Sequence, residues 1–208
     1  QPVNFASLAL ESSTADEKMI LIAQIQKYID ASVPIRLLIA ETEDALVPLS
    51  VLYLARRYGV ADMMDISPLF ETADALNNGG RIIGKMLEND VYRDYVRTRG
   101  VFAIQTGFSD AGRFMGQIPA TLAIERLQSH FAAQMAKHEM TDVTALVFNT
   151  HGEGLGRGGH PGTIGQRLDY AMSPWAILQF EKRGIHLCHE TSFQGGDGYL
   201  WFQTEAMA

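Results

Sequence analysis

The stretch VFAIQTGFSDAGRFMGQIPATLAIERLQSHFAAQMAKHEMTDVTALVFNTH, Val101–His151, decides how the chain is read. It opens on a short apolar run, VFAIQTGFSD (101–110), and closes on another, VTALVFNTH (143–151). Between them GRFMGQIPATLAIERLQSHFAAQMAKH (112–138) repeats its apolar residues at helical spacing. A strand, a long helix and a second strand predict a crossover unit, whose two strands run parallel. The same alternation extends in both directions. IRLLIAE (35–41), MMDISPLFE (63–71, with Pro68 at its end) and IHLCHETSF (185–193) are predicted strands. DEKMILIAQIQKYID (16–30) places Met19, Ile22, Ile25 and Ile29 on one helical face. EDALVPLSVLYLARRYG (43–59) predicts a helix closed by Gly59, with a kink or a late start at Pro48. TADALNNGGRIIGKMLEND (72–90) and SPWAILQFEKRG (173–184) complete the helical set. Strands starting near 35, 63, 101, 143 and 185 give an α/β fold of parallel βα units. Periodicity leaves open whether this is a doubly wound sheet or an arc of a (β/α) barrel.

Composition narrows the classes. The 208 residues suffice for one α/β domain, expected to span 1–208. They are 47% hydrophobic and 20% charged, with a net charge of −7. That balance argues against a broad nucleic-acid footprint while leaving room for a local anion site. The single cysteine, Cys188, excludes an intramolecular disulfide and suits a reducing cytoplasm. No apolar run is long enough for a membrane span, and QPVNFASLALESS has neither the basic nor the apolar region of a signal peptide. The chain lacks an initiator Met, so it is expected to be a segment of a longer protein. Such a segment would expose sheet edges, associate with itself and be inactive alone.

In either architecture ligands bind beyond the carboxyl ends of the strands. Glu41, Glu71, Asp110, His151, Glu153, Arg157 and Glu190 all fall at or near those ends. Glu71 and Asp110 are candidate ligands for Mg²⁺, which takes one or two carboxylates along with water and substrate oxygens. Either residue could equally favour a helix N-terminus. Arg113, one turn beyond Asp110, could fork onto a phosphate or carboxylate, or pair with a neighbouring acid. FNTHGEGLGRGGHPGTIG (148–165) holds seven glycines. That density points to an anion cradle of backbone N–H groups assisted by Arg157, or to a plain surface loop. The G-x-G-x-x-G spacing of Gly154, Gly156 and Gly159 is a weak dinucleotide signal, because no acid closes a following strand at the expected distance. His151 is a candidate base or hydrogen-bond donor at the mouth of the loop.

Three segments in this order resemble the phosphoenolpyruvate carboxylase family. PLFETADALNN (68–78) is similar to that family's PLFET segment, and GFSDAGRFMG (107–116) to its G-Y-S-D-S-[AG]-K-D-[AG]-G segment. HGEGLGRGGHP (151–161) is similar to its H-G-R-G-G-[ST]-[VI]-G-R-G-G-x-P loop. TSFQGGDG (191–198) resembles T-x-Q-G-E more loosely. The resemblance covers roughly residues 35–205. It implies part of a TIM-type barrel, and a lyase that joins bicarbonate to phosphoenolpyruvate, giving oxaloacetate and phosphate with Mg²⁺ or Mn²⁺. It implies Glu71 and Asp110 as metal ligands and His151, Arg113 and Arg157 as catalytic residues. Arg157, Gly158, Gly159 and Gln194 would bind substrate. The expected partners are small anions, the protein itself is expected to be a homo-oligomer, and neither nucleic acid nor membrane is expected.

Two positions depart from that pattern. The family has lysine where Arg113 stands, so a compact ammonium becomes a planar fork. It has arginine where Glu153 stands, which reverses a charge beside the expected anion. Two unit charges about 4 Å apart interact by about 4 kcal/mol at an effective dielectric near 20. The reversal therefore keeps two further readings open: a non-catalytic anion-binding or regulatory homologue, and a metal-dependent lyase acting on another enolate-forming acid.

Overall fold

The structure, a computed structural model, describes residues 5–152 and 163–194. In chain order its elements are α1 (Phe5–Tyr28), β1 (Ile35–Ile39), α2 (Leu46–Arg57), β2 (Met64–Phe70), α3 (Ala73–Glu88), α4 (Asp90–Arg99) and β3 (Val101–Gly107). They continue with α5 (Phe108–Met115), α6 (Gln117–Lys137), β4 (Thr144–Gly152), α7 (Ile164–Ala171), α8 (Pro174–Glu181) and β5 (Leu187–Gln194). All five strands are parallel, in the order β1-β2-β3-β4-β5. A doubly wound sheet needs a reversal in strand order, and none occurs. The helices follow suit, with α2 against α3, α3 against α6 and α6 against α8. They form one layer on one face, which is the winding of a barrel arc. Among the described residues the arc does not close, since β1 pairs only with β2 and β5 only with β4. It curls far enough for Arg36 on β1 to meet Glu190 on β5 at 2.5 Å across the concave face.

Several boundaries differ from the sequence reading for identifiable reasons. Pro48 lies in the first turn of α2, where a missing N–H costs nothing, so the helix starts late and is not kinked by it. The strand predicted over 101–110 ends at Gly107, and Phe108–Asp110 open α5. The long helix predicted over 112–138 is broken at Gly116, whose φ of 87° no helical residue adopts. The sequence reading does not include α4 or α7; both are short, and the buried stripe of α4 is only Tyr92, Tyr95 and Val96 in otherwise polar sequence.

Pro68 lies inside β2 rather than at its end, and is buried. The β2–β3 ladder forms only at Leu69↔Gln105 and Phe70↔Thr106. Below it the Tyr95 hydroxyl of α4 fills the gap. It donates to Met64 O at 2.7 Å and accepts from Ile66 N at 2.9 Å, so that buried backbone keeps its partners. The core between sheet and helices is built on an aromatic chain. Tyr92 meets Phe102 edge-on at 5.9 Å, Phe102 meets Phe131 at 5.0 Å, and Phe131 meets Phe180 at 5.8 Å. Such contacts contribute about 0.5–1.5 kcal/mol each beyond area burial.

Candidate active site

The strand ends bring two acids together. Glu71 follows the last residue of β2, and Thr72 then caps α3, its Oγ1 accepting from Ala75 N at 3.1 Å. Asp110 stands in the first turn of α5, immediately past β3. Gly107 sits between them. A Cβ there would lie 2.7 Å from Glu71 Cβ and 3.1 Å from its Oε2, so the close approach of Glu71 to β3 requires glycine.

Burial first, then a hydrogen bond and the charge of Asp110, push the Glu71 carboxyl above its ordinary value. The charge of Glu41 adds to this, while the Glu41 backbone N–H donates to Glu71 and opposes it. Glu41 reaches that position with a φ of 48°, an uncommon conformation for a residue with a side chain. Two carboxyl groups within hydrogen-bonding reach, one holding its proton more tightly than usual, form a donor set that favours a bound cation. Among the described residues no cage of three or more His, Cys, Asp or Glu side chains surrounds a metal position. Two carboxylates are the protein share that Mg²⁺ commonly takes, with water and substrate oxygens in the remaining positions.

Arg113 pairs with Asp110 one turn away. Their side chains are 53% and 38% exposed, so the pair is a surface one of small energy, and the guanidinium is free to change partners. Glu190, expected at the rim, does not join these groups. It lies lower on β5, level with Phe148, and is held by Arg36. The reason is the curl of the sheet, which brings an arginine from the opposite edge strand over it.

Behind the rim runs a polar network that the sequence did not reveal. Asn149 Oδ1 accepts from the Thr106 hydroxyl and, at 3.3 Å, from Gln128 Nε2 of α6. Gln128 Nε2 also lies 3.3 Å from Ala171 O. Asn149 Nδ2 approaches His189 Nε2 at 2.8 Å, and the Thr191 hydroxyl approaches the same nitrogen at 3.0 Å. An amide nitrogen can only donate, so His189 Nε2 accepts and its proton sits on Nδ1. Burial holds this histidine below its ordinary value, in keeping with the neutral form. The network ties β3, β4 and β5 to one another and to α6. It fixes the strand ends that carry Asp110 and His151. Its only sequence signal is the presence of isolated polar residues in otherwise apolar runs.

The His151 backbone closes β4 opposite Phe193, and Gln194 ends β5 opposite Gly152. Glu153, Arg157, Gly158 and Gly159 lie outside the described residues. No described helix is long and apolar enough to cross a membrane.

Comparison with known proteins gives this geometry a context. The family model described as phosphoenolpyruvate carboxylase matches residues 5–165. A phosphoenolpyruvate carboxylase of Hahella chejuensis is 34% identical over 113 residues, 54% of this chain and 12% of that protein. One from Mycobacterium leprae is 32% identical over 146 residues, 66% of this chain and 15% of that protein. Phosphoenolpyruvate carboxylase 1 of Chlamydomonas reinhardtii is 34% identical over 113 residues, 54% of this chain and 11% of that protein. The matched part of the chain thus spans about an eighth of the length of these relatives. With the family match covering well over half of its residues, the chain belongs to the phosphoenolpyruvate carboxylase family.

Proposed function

We propose that this segment supplies the cation- and anion-binding rim of an enzyme that carboxylates phosphoenolpyruvate with bicarbonate, and that it is inactive alone. The observation that carries the reading is the Glu71–Asp110 pair, seated at two adjacent strand ends against Gly107. Glu71 and Asp110 would hold Mg²⁺ or Mn²⁺, whose charge would stabilise the oxygen that becomes enolate when phosphate leaves. A bicarbonate oxygen takes the phosphoryl group, giving carboxyphosphate and the enolate of pyruvate. Carboxyphosphate then separates into carbon dioxide and phosphate, and the enolate carbon attacks carbon dioxide to give oxaloacetate. Arg113 and Arg157 neutralise the phosphoryl oxygens during transfer. The N–H groups of Gly158 and Gly159 and the Gln194 amide orient the substrate, and His151 holds or moves the bicarbonate proton.

Glu153 favours a second reading, in which phosphoenolpyruvate is bound and not turned over. One assay separates the two. The intact longer protein is mixed with phosphoenolpyruvate, bicarbonate and Mg²⁺, and oxaloacetate and phosphate are followed separately. Equal release of both products, with kcat reduced by about 10²-fold or more in Glu71→Gln, is the expected result. Saturable phosphoenolpyruvate binding without either product would establish the second reading and end the first.

A further inference from the structure

The outer surface of the helix layer carries a groove that the carboxylate rim does not use. α3 lines it with Asn77, Arg81 and Lys85, and α6 with His130, Gln134 and Lys137; its volume is about 520 Å³. Gly80 and Gly84 let the two helices approach. A Cβ at Gly80 would lie 2.7 Å from His130 Nδ1, and one at Gly84 would lie 2.9 Å from Gln134 Oε1. A second polar hollow, of about 400 Å³, shares Lys137 and is lined further by Arg93, Arg97 and His138.

The charge distribution is unusual for a chain of net charge −7. Among the described residues Arg81, Lys85, Arg97 and Lys137 make no ion pair; only Arg93, which pairs with Asp90, is neutralised. Glu88 and Glu139 are the acids that line the two hollows. Two buried polar atoms facing this region, Gln134 Oε1 and His138 Nε2, also lack a hydrogen-bond partner. Unneutralised cations along a concave wall focus potential on whatever occupies it. A carboxamide can present its nitrogen as readily as its oxygen, so Gln134 can donate to an anion. The position is remote from the rim. α3 begins beside Glu71 and carries Lys85 in its last turn, and Lys137 ends α6, so the groove runs toward the amino-terminal ends of the strands.

We propose that this groove is a second binding site, separate from the carboxylate rim, for a small anion carrying linked phosphate groups. Lys137 lines both hollows, so two linked anionic groups could flank it, and the forks of Arg81 and Arg97 match phosphate oxygens. No Phe, Tyr or Trp lines either hollow, so there is no platform for stacking the bases of a nucleic acid.

Inorganic pyrophosphate is the probe, titrated calorimetrically into the full chain without divalent ions. Saturable binding is expected. The double variant Lys85→Glu with Lys137→Glu is expected to weaken it by about tenfold or more, while Arg113→Ala leaves it in place. Lys85 and Lys137 are exposed, so their replacement buries no charge, and matched thermal melts check that the fold is kept. Failure to bind pyrophosphate would overturn the proposal, and is the result expected if an acidic protein segment covers the groove instead. Binding that the double variant leaves unchanged would overturn it too. So would loss of binding in Arg113→Ala, which would put the pyrophosphate at the rim.

Discussion

The two faces of the sheet are finished to different degrees. On the helix-facing side Thr106, Asn149, Gln128 and His189 are buried or half-buried, and each meets a partner. On the concave side Ser67 and Gln105 are buried with Ser67 Oγ and Gln105 Oε1 unpaired among the described residues, and so is Arg36 Nε beside the Arg36–Glu190 pair. An unsatisfied buried polar group costs about 1–3 kcal/mol, so the difference is energetic as well as geometric. The chain's own helices cover one face of the arc, where the Tyr92 hydroxyl is a buried polar group left without a partner among the described residues. On the other face Arg36 meets Glu190 and Asp65 meets Arg99, while Ser67 Oγ and Gln105 Oε1 are left without a partner from the described residues.

The largest expected effect comes from breaking the finished face. Asn149→Ala takes the acceptor from the Thr106 hydroxyl and one of two partners each from Gln128 Nε2 and His189 Nε2, and should lower unfolding free energy by about 2–4 kcal/mol in urea titrations. A loss below about 0.5 kcal/mol would mean that the network does not hold the strand ends. The unfinished face should respond with the opposite sign. Gln105→Met keeps the volume, removes an unpaired buried oxygen, and should be neutral or stabilising by up to about 1 kcal/mol. A clear destabilisation would show that Gln105 has a partner after all.

The smallest effect is expected at the rim. Glu71 holds its proton more tightly in the folded chain than in the unfolded one. As pH rises from the ordinary glutamate value through the raised one, the unfolded chain releases that proton first, and stability falls. Glu71→Gln removes this slope. The variant should match the parent at acid pH and exceed it near neutrality, by less than about 1 kcal/mol once solvent screening is allowed for. Added Mg²⁺ should raise the melting temperature of the parent and not of the variant. A parent with no pH slope across that window, and no response to Mg²⁺, would remove the case for Glu71 as a strained carboxylate awaiting a cation.

How much of this was legible in the sequence depends on the range of the interactions involved. The βα rhythm was legible because burial against a helix layer imposes apolar runs and helical stripes that any local window displays. The positions of Glu71 and Asp110 near the strand ends were legible because each closely follows an apolar run. Asn149 and Gln128 were not, because their partners lie 40 and 21 residues away along the chain, and an isolated polar residue in an apolar run announces no partner. Glu190 was misplaced because the sequence does not state how far a sheet curls, and the curl brought Arg36 over it.

The sequence by itself therefore determined the order and type of the main elements, the family and the two rim carboxylates. All of these follow from local periodicity and from residue types within a few positions of one another. Tertiary structure alone decided that the strands run in unreversed order, that Gly107 admits Glu71, and that α3 and α6 gather unpaired cations on their outer surface. Those outcomes depend on which side chains meet across strands and helices, and such distances arise only when the whole sheet twists and packs.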